Sequence, residues 1–439
     1  MSASAYEVDQ AVPVGVINEY SPELPLVNVS LSLRVGSELD PPGKEGLSEV
    51  LMRLLRRNAG GRDADENDRL VDRLGASLGA DVAASTMGFH GTVISRSYAE
   101  FVQLLRDTLG EPSFQADEFE RLKREIHSEL VESLDNDRSL ARRWFRKKMF
   151  AGHPYGRPVS GTPQSLDSLE LADAQALYER ALIQENLICA FAGEVTPEQA
   201  RASAEALRAM LRRGQQPTTS TQAPVAPSGR QLVIVDKPDR TQTQILVGCL
   251  GTHPRDEDHT ALHVANTIFG GTFTARLTQE VRAKRGWSYG AYSSLPFDRC
   301  RHAFSMWTFP KASDAAQCLK LELDLLEQWV KAGVTKKELA WAKRYLVRSH
   351  AFALDTAAKR VSLKLDAELY QLPAGYYQEY EARVQAVTLE QANEAIQNRI
   401  SAENLLVTIV GTASEIRGPV EGAIDRLGAS ETVPFDDLS

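Results

Sequence analysis

Two histidines, His259 and His263, stand four residues apart in a segment whose apolar spacing predicts a helix, and His253 lies just upstream. Side chains at positions i and i+4 share one helical face, and two imidazoles placed in this way can bind one zinc ion. A hydrolytic zinc site also needs a group that activates the metal-bound water, and no glutamate lies between these histidines. We therefore interpret the pair as a surface histidine and a helix-face histidine rather than as metal ligands.

Other chemistry-bearing patterns are weaker. The four cysteines form no C-x-x-C pair, which excludes a zinc ribbon, and Cys189 and Cys249 lie in apolar runs that predict buried thiols of a reducing compartment. Gly270-Gly271 is not followed by Gly-Lys-Ser/Thr, so it does not form a phosphate-binding loop of the known type. His153 belongs to His-Pro-Tyr-Gly, which we interpret as a structural turn. No local motif supports Ser-His-Asp or Cys-His catalysis.

Composition narrows the class of protein. The chain has 439 residues, 43% of them hydrophobic and 25% charged, as is usual for globular proteins of two or three domains. Its net charge of −9 argues against nucleic-acid binding, and the basic runs at 56–57, 142–143 and 146–148 are interpreted as solvated helix faces. The sequence contains no run of 18 apolar residues, so we predict no membrane span. The N-terminus shows no signal peptide, so we expect a cytoplasmic location, or a periplasmic one if a signal was removed.

The elements that must position these residues occur twice. The segment 185–193 begins Glu-Asn-Leu and ends in Gly, and 403–411 repeats this pattern 218 residues further on. A period near half the chain predicts two copies of one domain. Three prolines and many small polar residues at 214–229 predict a linker between a first repeat at 1–213 and a second at 230–439.

Hydrophobic periodicity predicts an α+β fold. Each copy should hold a mainly antiparallel sheet with helices packed on one face, because strands and helices come in groups rather than alternating. Helical spacing is present at 45–57, 65–75, 98–110, 115–149, 165–182, 197–213, 257–268, 273–284, 313–331, 335–370, 374–384 and 389–398. Strand patterns are present at 27–35, 79–96, 187–193, 232–236, 242–250, 288–296, 302–309 and 404–410.

Several motifs are similar to those of a known family. They are Arg34-Val-Gly-Ser-Glu38, Gly46 opening a helix, His153-Pro-Tyr-Gly156, Phe269-Gly-Gly-Thr-Phe-Thr-Ala-Arg-Leu277 and Arg282-Ala-Lys-Arg-Gly-Trp-Ser-Tyr289. On these residues the chain resembles the pitrilysin/insulinase metallopeptidases. Within that family it is similar to the short bacterial form built from two different subunits.

The resemblance implies a zinc site that this chain has lost. Active members carry His-x-x-Glu-His on the first helix and a third glutamate ligand downstream. Here the two histidine positions hold Glu49 and Arg53, the base position holds Met52, and Glu129 fits the third ligand. A thioether cannot accept a proton from water, and a permanent cation repels a divalent ion. We expect Glu129 to form a salt bridge with Arg53 and the chain to bind no metal, although a remodelled metal site is an alternative.

The resemblance also implies that Arg282 and Tyr289, seven residues apart in the second copy, handle substrate. A tyrosine hydroxyl can donate to the oxyanion that forms when water attacks a peptide carbonyl. An arginine fork can hold carbonyl or carboxylate oxygens. Gly270 and Gly271 are assigned to substrate binding by the same resemblance. The alternative for Tyr289 is a packed residue at the start of a strand.

These expectations converge on the non-zinc subunit of a heterodimeric zinc metallopeptidase. The chain would form half of a clamshell around unfolded peptides, would need no cofactor itself and would meet a homologous partner carrying zinc and His-x-x-Glu-His. Peptides would add to an open sheet edge. The alternatives are a catalytically inactive structural protein and a peptide-binding chaperone of the same fold. A homodimer of the isolated chain is also compatible with the sequence.

Overall fold

Two mixed β-sheets, each covered by helices, form the frame of the molecule. The computed structural model describes residues 15–219 and 223–438. One sheet is built from strands between residues 16 and 193 and the other from strands between 230 and 434. The predicted α+β class with two related halves is confirmed.

The first sheet has five strands in the order β1-β5-β2-β4-β3. The strands are β1 (Val16–Tyr20), β2 (Leu26–Leu33), β3 (Ser77–Val82), β4 (Met87–Ile94) and β5 (Leu187–Gly193). All neighbours are antiparallel except β1 and β5. Strand β2 alternates buried and partly exposed residues, as its period-two sequence predicts, because successive side chains point to opposite faces.

The second sheet has six strands in the order β11-β6-β10-β7-β9-β8. The strands are β6 (Arg230–Asp236), β7 (Gln244–Leu250), β8 (Ala291–Ser294), β9 (Ala303–Thr308), β10 (Leu405–Gly411) and β11 (Leu427–Pro434). Strands β11, β6 and β10 run parallel, and the pairs from β10 to β8 are antiparallel. In each sheet the parallel pairs lie toward one edge. The other pairs are antiparallel, so both sheets are mainly antiparallel, as predicted.

Helices pack on these sheets in both halves. Those of the first half are α1 (Leu47–Arg57), α2 (Ala64–Arg73), α3 (Tyr98–Gly110), α4 (Ala116–Ser133), α5 (Asp137–Met149), α6 (Pro163–Ser168), α7 (Leu171–Ala181) and α8 (Pro197–Arg208). Those of the second are α9 (His259–Phe269), α10 (Arg276–Thr278), α11 (Ala315–Ala332), α12 (Lys336–His350), α13 (Ala357–Leu369), α14 (Tyr380–Ala386), α15 (Leu389–Arg399) and α16 (Ala413–Ala423).

Four helices predicted as continuous are interrupted, among them 165–182, which divides into α6 and α7. The stretch 115–149 breaks between α4 and α5, where the Asn136 side chain accepts from the Ser139 amide and starts a new helix. Thr356 caps α13 in the same way within 335–370. The stretch 273–284 contains only the short α10, followed by a π-helical turn at Gln279–Ala283. Capping side chains that compete for backbone donors thus divide 115–149 and 335–370, whose apolar spacing is unbroken.

The two halves exchange helices. Helix α5 of the first half packs Leu140 and Trp144 against Val235 and Leu406 of the second sheet. Helix α13 of the second half packs on Ile188 and Ala190 of the first sheet. Helices therefore cover both faces of each sheet, whereas the sequence predicted one face. Apolar spacing identifies the buried side of a helix but does not say which sheet covers it.

A buried ion pair joins the halves. Arg299 contacts Glu38 at 2.9 Å, with 7% and 4% of the side chains exposed, and donates to the backbone oxygens of Arg34 and Ser85. Arg34 in turn pairs with Glu368 at 3.0 Å. Burial raises the pKa of Glu38 to about 7 against the opposing effect of Arg299. The Arg34-to-Glu38 motif therefore links the halves through ion pairs at both ends.

The division at 214–229 stays a prediction. Its described residues, 214–219 and 223–229, contain no helix or strand. The basic runs differ from expectation in part. Arg142 is exposed as predicted, but Arg57 pairs with Glu118 and Glu125, and Arg143 and Arg146 are half-buried rather than solvated. In the described part of the chain no helix is long and apolar enough to cross a membrane.

Candidate functional site

The first helix, α1, is anchored at its N-terminus by a buried aspartate. Gly46 precedes α1 with φ +94°, and its backbone approaches Ser160 and Gly161 so closely that a side chain would press on them. The Asp40 carboxylate accepts from the Gly46 amide and from the amide and hydroxyl of Ser48. These bonds satisfy donors at the helix start and fix the rotation of α1 about its axis.

This orientation of α1 brings the positions of the lost zinc motif together with Glu129 on α4. Arg53 donates Nε to Glu49 at 2.7 Å and Nη1 and Nη2 to the two oxygens of Glu129 on α4 at 2.7 and 2.8 Å. Met52 is fully buried in the core beneath them. The ion pair predicted between Arg53 and Glu129 is therefore present.

The electrostatics of this cluster do not suit a cation. The hydrogen bond to Glu129 raises the pKa of Arg53, so the guanidinium stays charged. Burial raises the pKa of Glu49 despite the neighbouring Arg53. A zinc ion would need deprotonated, uncommitted ligands, yet both carboxylates are bound to an arginine that occupies the second histidine position. These residues do not fit zinc, and among the described residues no group of three or more metal-ligating side chains is arranged to hold an ion.

The histidines of the second half are used in separate hydrogen bonds. His259 Nδ1 contacts the Thr252 hydroxyl at 2.9 Å, and His263 Nε2 contacts the Tyr380 hydroxyl at 3.1 Å. Burial lowers the pKa of His259 to about 3 and that of His253 to about 4. The prediction that one of His259 and His263 is a surface residue is wrong, because His259 is buried and His263 is half-buried.

Arg282 and Tyr289 lie in contact. The Arg282 guanidinium lies 4.1 Å from the Phe273 ring centroid and 4.7 Å from that of Tyr289, so it is held by two aromatic faces. Tyr289 is 77% exposed and Phe273 58% exposed. Among the described residues neither the guanidinium nor the Tyr289 hydroxyl has a hydrogen-bond partner. Both polar groups are therefore free to bind a ligand, and Tyr289 is not the packed residue of the alternative interpretation.

The backbone around Tyr289 is held although its side chain is exposed. Arg282 belongs to the π-helical turn, and Gly286, three residues after the end of that turn, has φ +65°. The Ser288 hydroxyl donates to the Gly290 carbonyl at 2.6 Å and accepts from the Phe309 amide at 3.0 Å. Such single π-helical turns are frequent at functional sites. The arrangement presents a phenol from an anchored backbone.

Gly270 and Gly271 end α9 against β8. A Cβ on Gly270 would lie 2.5 Å from Ser293 Oγ and 2.7 Å from its amide nitrogen, and one on Gly271 would lie 2.9 Å from Thr267 Cα. The glycines therefore have a packing role whatever else they do. The structure adds Phe273, which lies two residues further on and which sequence reasoning did not single out. Its only sequence signal is an apolar ring in a polar loop.

The predicted site residues form two separate groups. Glu49, Arg53 and Glu129 meet between α1 and α4, and Arg282 and Tyr289 meet before β8. No hydrogen bond, ion pair or ring contact joins the two groups among the described residues. A duplicated α+β chain with a substituted metal helix and an exposed Arg–Tyr pair defines an inactive-type relative of two-domain zinc peptidases.

Comparison with known proteins agrees with that class. Residues 15–163 match the insulinase family, peptidase family M16, and residues 168–346 match the peptidase M16 inactive domain. The chain belongs to the M16 family. Because its zinc-motif positions cannot hold a metal, it is a member of the inactive type.

Individual relatives span nearly the whole chain. A protein described as an uncharacterized zinc protease from Mycobacterium bovis is 26% identical over 388 residues, 88% of each chain. The non-peptidase homolog YmxG from Helicobacter pylori is 22% identical over 92% of this chain and 93% of its own. The crystal structure of a peptidase M16 inactive domain from Pseudomonas fluorescens has a TM-score of 0.83 at 26% identity, covering 90% of this chain and 95% of its own.

Proposed function

We propose that the chain is the non-zinc subunit of a heterodimeric zinc metallopeptidase. It would supply Arg282 and Tyr289 opposite a zinc ion that a homologous partner holds with His-x-x-Glu-His. The single observation that carries this proposal is the contrast between the two groups. The metal positions are neutralised by Arg53, whereas Arg282 is oriented by the Phe273 and Tyr289 rings, and neither its guanidinium nor the Tyr289 hydroxyl has a hydrogen-bond partner among the described residues.

The two side chains suit different parts of peptide hydrolysis. When water attacks a peptide carbonyl, negative charge develops on the carbonyl oxygen, and a phenol hydroxyl can donate a hydrogen bond to it. Arg282 has a planar fork that can hold a neighbouring peptide carbonyl or carboxylate. Stacking between two rings restricts the rotamers of the guanidinium before substrate arrives, which lowers the entropy lost on binding.

Unfolded peptides are the substrate class that we infer. Strand β8 begins two residues after Tyr289 and is the last strand of its sheet. On its outer side the Ser293 amide already donates to the Gly270 carbonyl, and the Ala291 carbonyl accepts from the Thr278 hydroxyl. An extended peptide that pairs with a sheet edge satisfies its backbone groups regardless of its sequence, and to pair with β8 it would have to displace these two bonds.

The test mixes the chain with a homologous subunit that carries an intact zinc motif. Alone, the chain should bind no stoichiometric zinc and cleave no peptide, and the mixture should cleave. Tyr289→Phe in the mixture should lower kcat by roughly ten- to a thousandfold, since one oxyanion donor is lost. Tyr345→Phe is the matched control, because Tyr345 is an exposed phenol that stacks on Trp341 outside both groups. Wild-type turnover by Tyr289→Phe would reject the proposed role.

The second candidate is a catalytically inactive structural or peptide-binding protein of the same fold. It is favoured by the similarity to a relative that is named a non-peptidase homolog. In that case Arg282→Ala with Tyr289→Phe would leave the activity of any mixture unchanged, while omission of the chain would abolish it. Peptide binding by the isolated chain that is insensitive to zinc chelation would favour the peptide-binding form.

A further inference from the structure

A cavity of about 510 Å³ lies between α5 and the second sheet, outside both groups of site residues. Its helix side is lined by Arg142, Arg143 and Arg146, and its sheet side by Ser294 at the end of β8 and Ser305 on β9. The two serine hydroxyls lie 3.1 Å apart. The volume falls within the range of ordinary small-ligand sites.

The cationic side chains outnumber the carboxylates that face them. Arg143 faces the carboxylate of Asp437, and Asp298 acts on His302 at the cavity wall. Arg142 and Arg146 have no ion pair or side-chain hydrogen bond with another described residue. Burial alone lowers the pKa of Arg146, with no opposing negative charge. Two guanidinium forks are thus available to a ligand.

Helix α5 carries a row of arginines that repel one another. Arg138, Arg142 and Arg146 are spaced four residues apart, and like charges at this spacing destabilise a helix. Arg138 is held 3.6 Å above the ring of Trp307, which itself stacks on Tyr292 of β8. This row of cations lies beside serine donors, and Arg146 at its inner end is half-buried, which is an environment that suits an anion.

We propose that this cavity binds a carboxylate of a peptide, from an acidic side chain or from the C-terminus. The inference rests on the proposed peptide-handling function and names its substrate class. Arg142 and Arg146 would hold the carboxylate oxygens, and Ser294 or Ser305 would donate a further hydrogen bond.

The position of the cavity favours a peptide over a free anion. Ser294 lies five residues after Tyr289, and an extended chain advances about 3.3 Å per residue. The backbone of Ser294 is therefore at most about 17 Å from that of Tyr289, a span of about five peptide residues. One extended peptide is long enough to reach both places.

The test is equilibrium binding of labelled decapeptides to the full chain without a partner subunit. Four peptides share one neutral sequence and combine two glutamates or two glutamines with a free or an amidated C-terminus. Peptides with carboxylates should bind about tenfold or more tightly than the amidated glutamine peptide. The amidated glutamate peptide tests a side-chain carboxylate alone, and the glutamine peptide with a free C-terminus tests the terminal carboxylate alone.

Charge removal at the cavity should erase this preference. Arg142→Gln with Arg146→Gln should bind all four peptides equally. Arg69→Gln with Arg124→Gln removes the same charge from exposed arginines of α2 and α4 and should keep the preference. Arg142→Lys with Arg146→Lys retains the positive charge but lacks the planar guanidinium groups, so this variant should keep only part of the preference for carboxylate peptides. The thermal unfolding midpoint of each variant verifies that it folds.

Three outcomes would overturn the proposal. They are equal binding of acidic and neutral peptides by the wild type, a preference that survives in the glutamine pair, and tighter binding of inorganic phosphate than of the acidic peptides. Because the assay contains no zinc subunit and measures no cleavage, failure of the Tyr289 experiment leaves this result unaffected. Carboxylate binding without activity in any mixture would reject the proposed peptidase role and keep the cavity.

Discussion

Arg53 on α1 and Glu129 on α4, 76 residues apart in sequence, form a two-point ion pair with donor–acceptor distances of 2.7 and 2.8 Å. The same guanidinium holds Glu49 one turn earlier on α1. An arginine therefore satisfies both carboxylates at the place where the family resemblance implies a metal. The ion pair connects the two helices that such a metal would connect.

We predict that the metal site can be rebuilt on this frame. Glu49→His, Met52→Glu and Arg53→His together restore two imidazoles on one helix face, with Glu129 as the third ligand. The triple variant should bind about one zinc ion per chain, and the wild type essentially none, as measured by metal analysis after dialysis. Adding Glu129→Gln to the triple variant should weaken zinc binding. Zinc retained by the wild type would contradict the account of Arg53.

Arg299→Met should be strongly destabilising. It leaves the buried Glu38 carboxyl without its partner, and breaking a buried pair in this way costs about 3–5 kcal/mol. Urea unfolding should show this loss, and adding Glu38→Gln should recover part of it. Arg426→Met, which breaks an exposed pair with Glu403, should cost less than about 1 kcal/mol. Equal effects of the two substitutions would show that burial of the Glu38–Arg299 pair is unimportant.

Glu322 should make stability depend on pH. It lies fully buried on α11, and burial raises its pKa to about 8 from 4.5, against a smaller opposing effect of the Thr308 hydroxyl. The folded state therefore holds this proton more tightly than the unfolded state, so the stability it contributes below pH 4.5 is lost as pH rises toward 8 and beyond.

Glu322→Gln carries no titrating group at this position and serves as the comparison. The melting temperature of the wild type should fall more between pH 6 and pH 9 than that of Glu322→Gln, by roughly several degrees for a difference of a few kcal/mol. Parallel melting profiles of the two proteins over this range would exclude Glu322 as the titrating group.

Gly270→Ala should disturb the segment that carries Arg282 and Tyr289. The new methyl group would collide with the Ser293 backbone of β8, so the end of α9 must shift. We expect destabilisation of about 1–3 kcal/mol in urea and reduced turnover in the proposed mixture. Gly422→Ala in α16 is the control, because its Cβ would meet no atom within 4 Å and should leave stability unchanged or slightly higher.

Local patterns were sufficient for part of this structure. The period-two alternation of β2 and the repeated Glu-Asn-Leu segments identified β2, β5 and β10 correctly. The spacing between Arg53 and Glu129 predicted their ion pair, because the register of α1 is set by Gly46 and by its apolar face. The exposure of Tyr289 could not be obtained in this way, since a phenol near an apolar run packs as often as it projects.

Other features depend on contacts distant in sequence. Strand β11 was missed because most of its residues are at least partly exposed and show no regular alternation. The burial of His259 was not predicted, because it arises from packing beside Phe297 and Tyr376, which are distant in sequence. Arg143 and Arg146 of α5 were interpreted as solvated because sequence spacing does not reveal that this helix crosses to the second sheet. The cavity exists only through that crossing.

The reciprocal crossing of α5 and α13 has a consequence for the origin of the chain. Either repeat taken alone would leave one apolar sheet surface bare, because the helix that covers it comes from the other repeat. A gene of half this length would therefore encode a protein that is stable only as a pair of identical chains, each shielding the other. Joining the two copies in one chain would have made these contacts intramolecular, after which the sequences of the two copies could diverge.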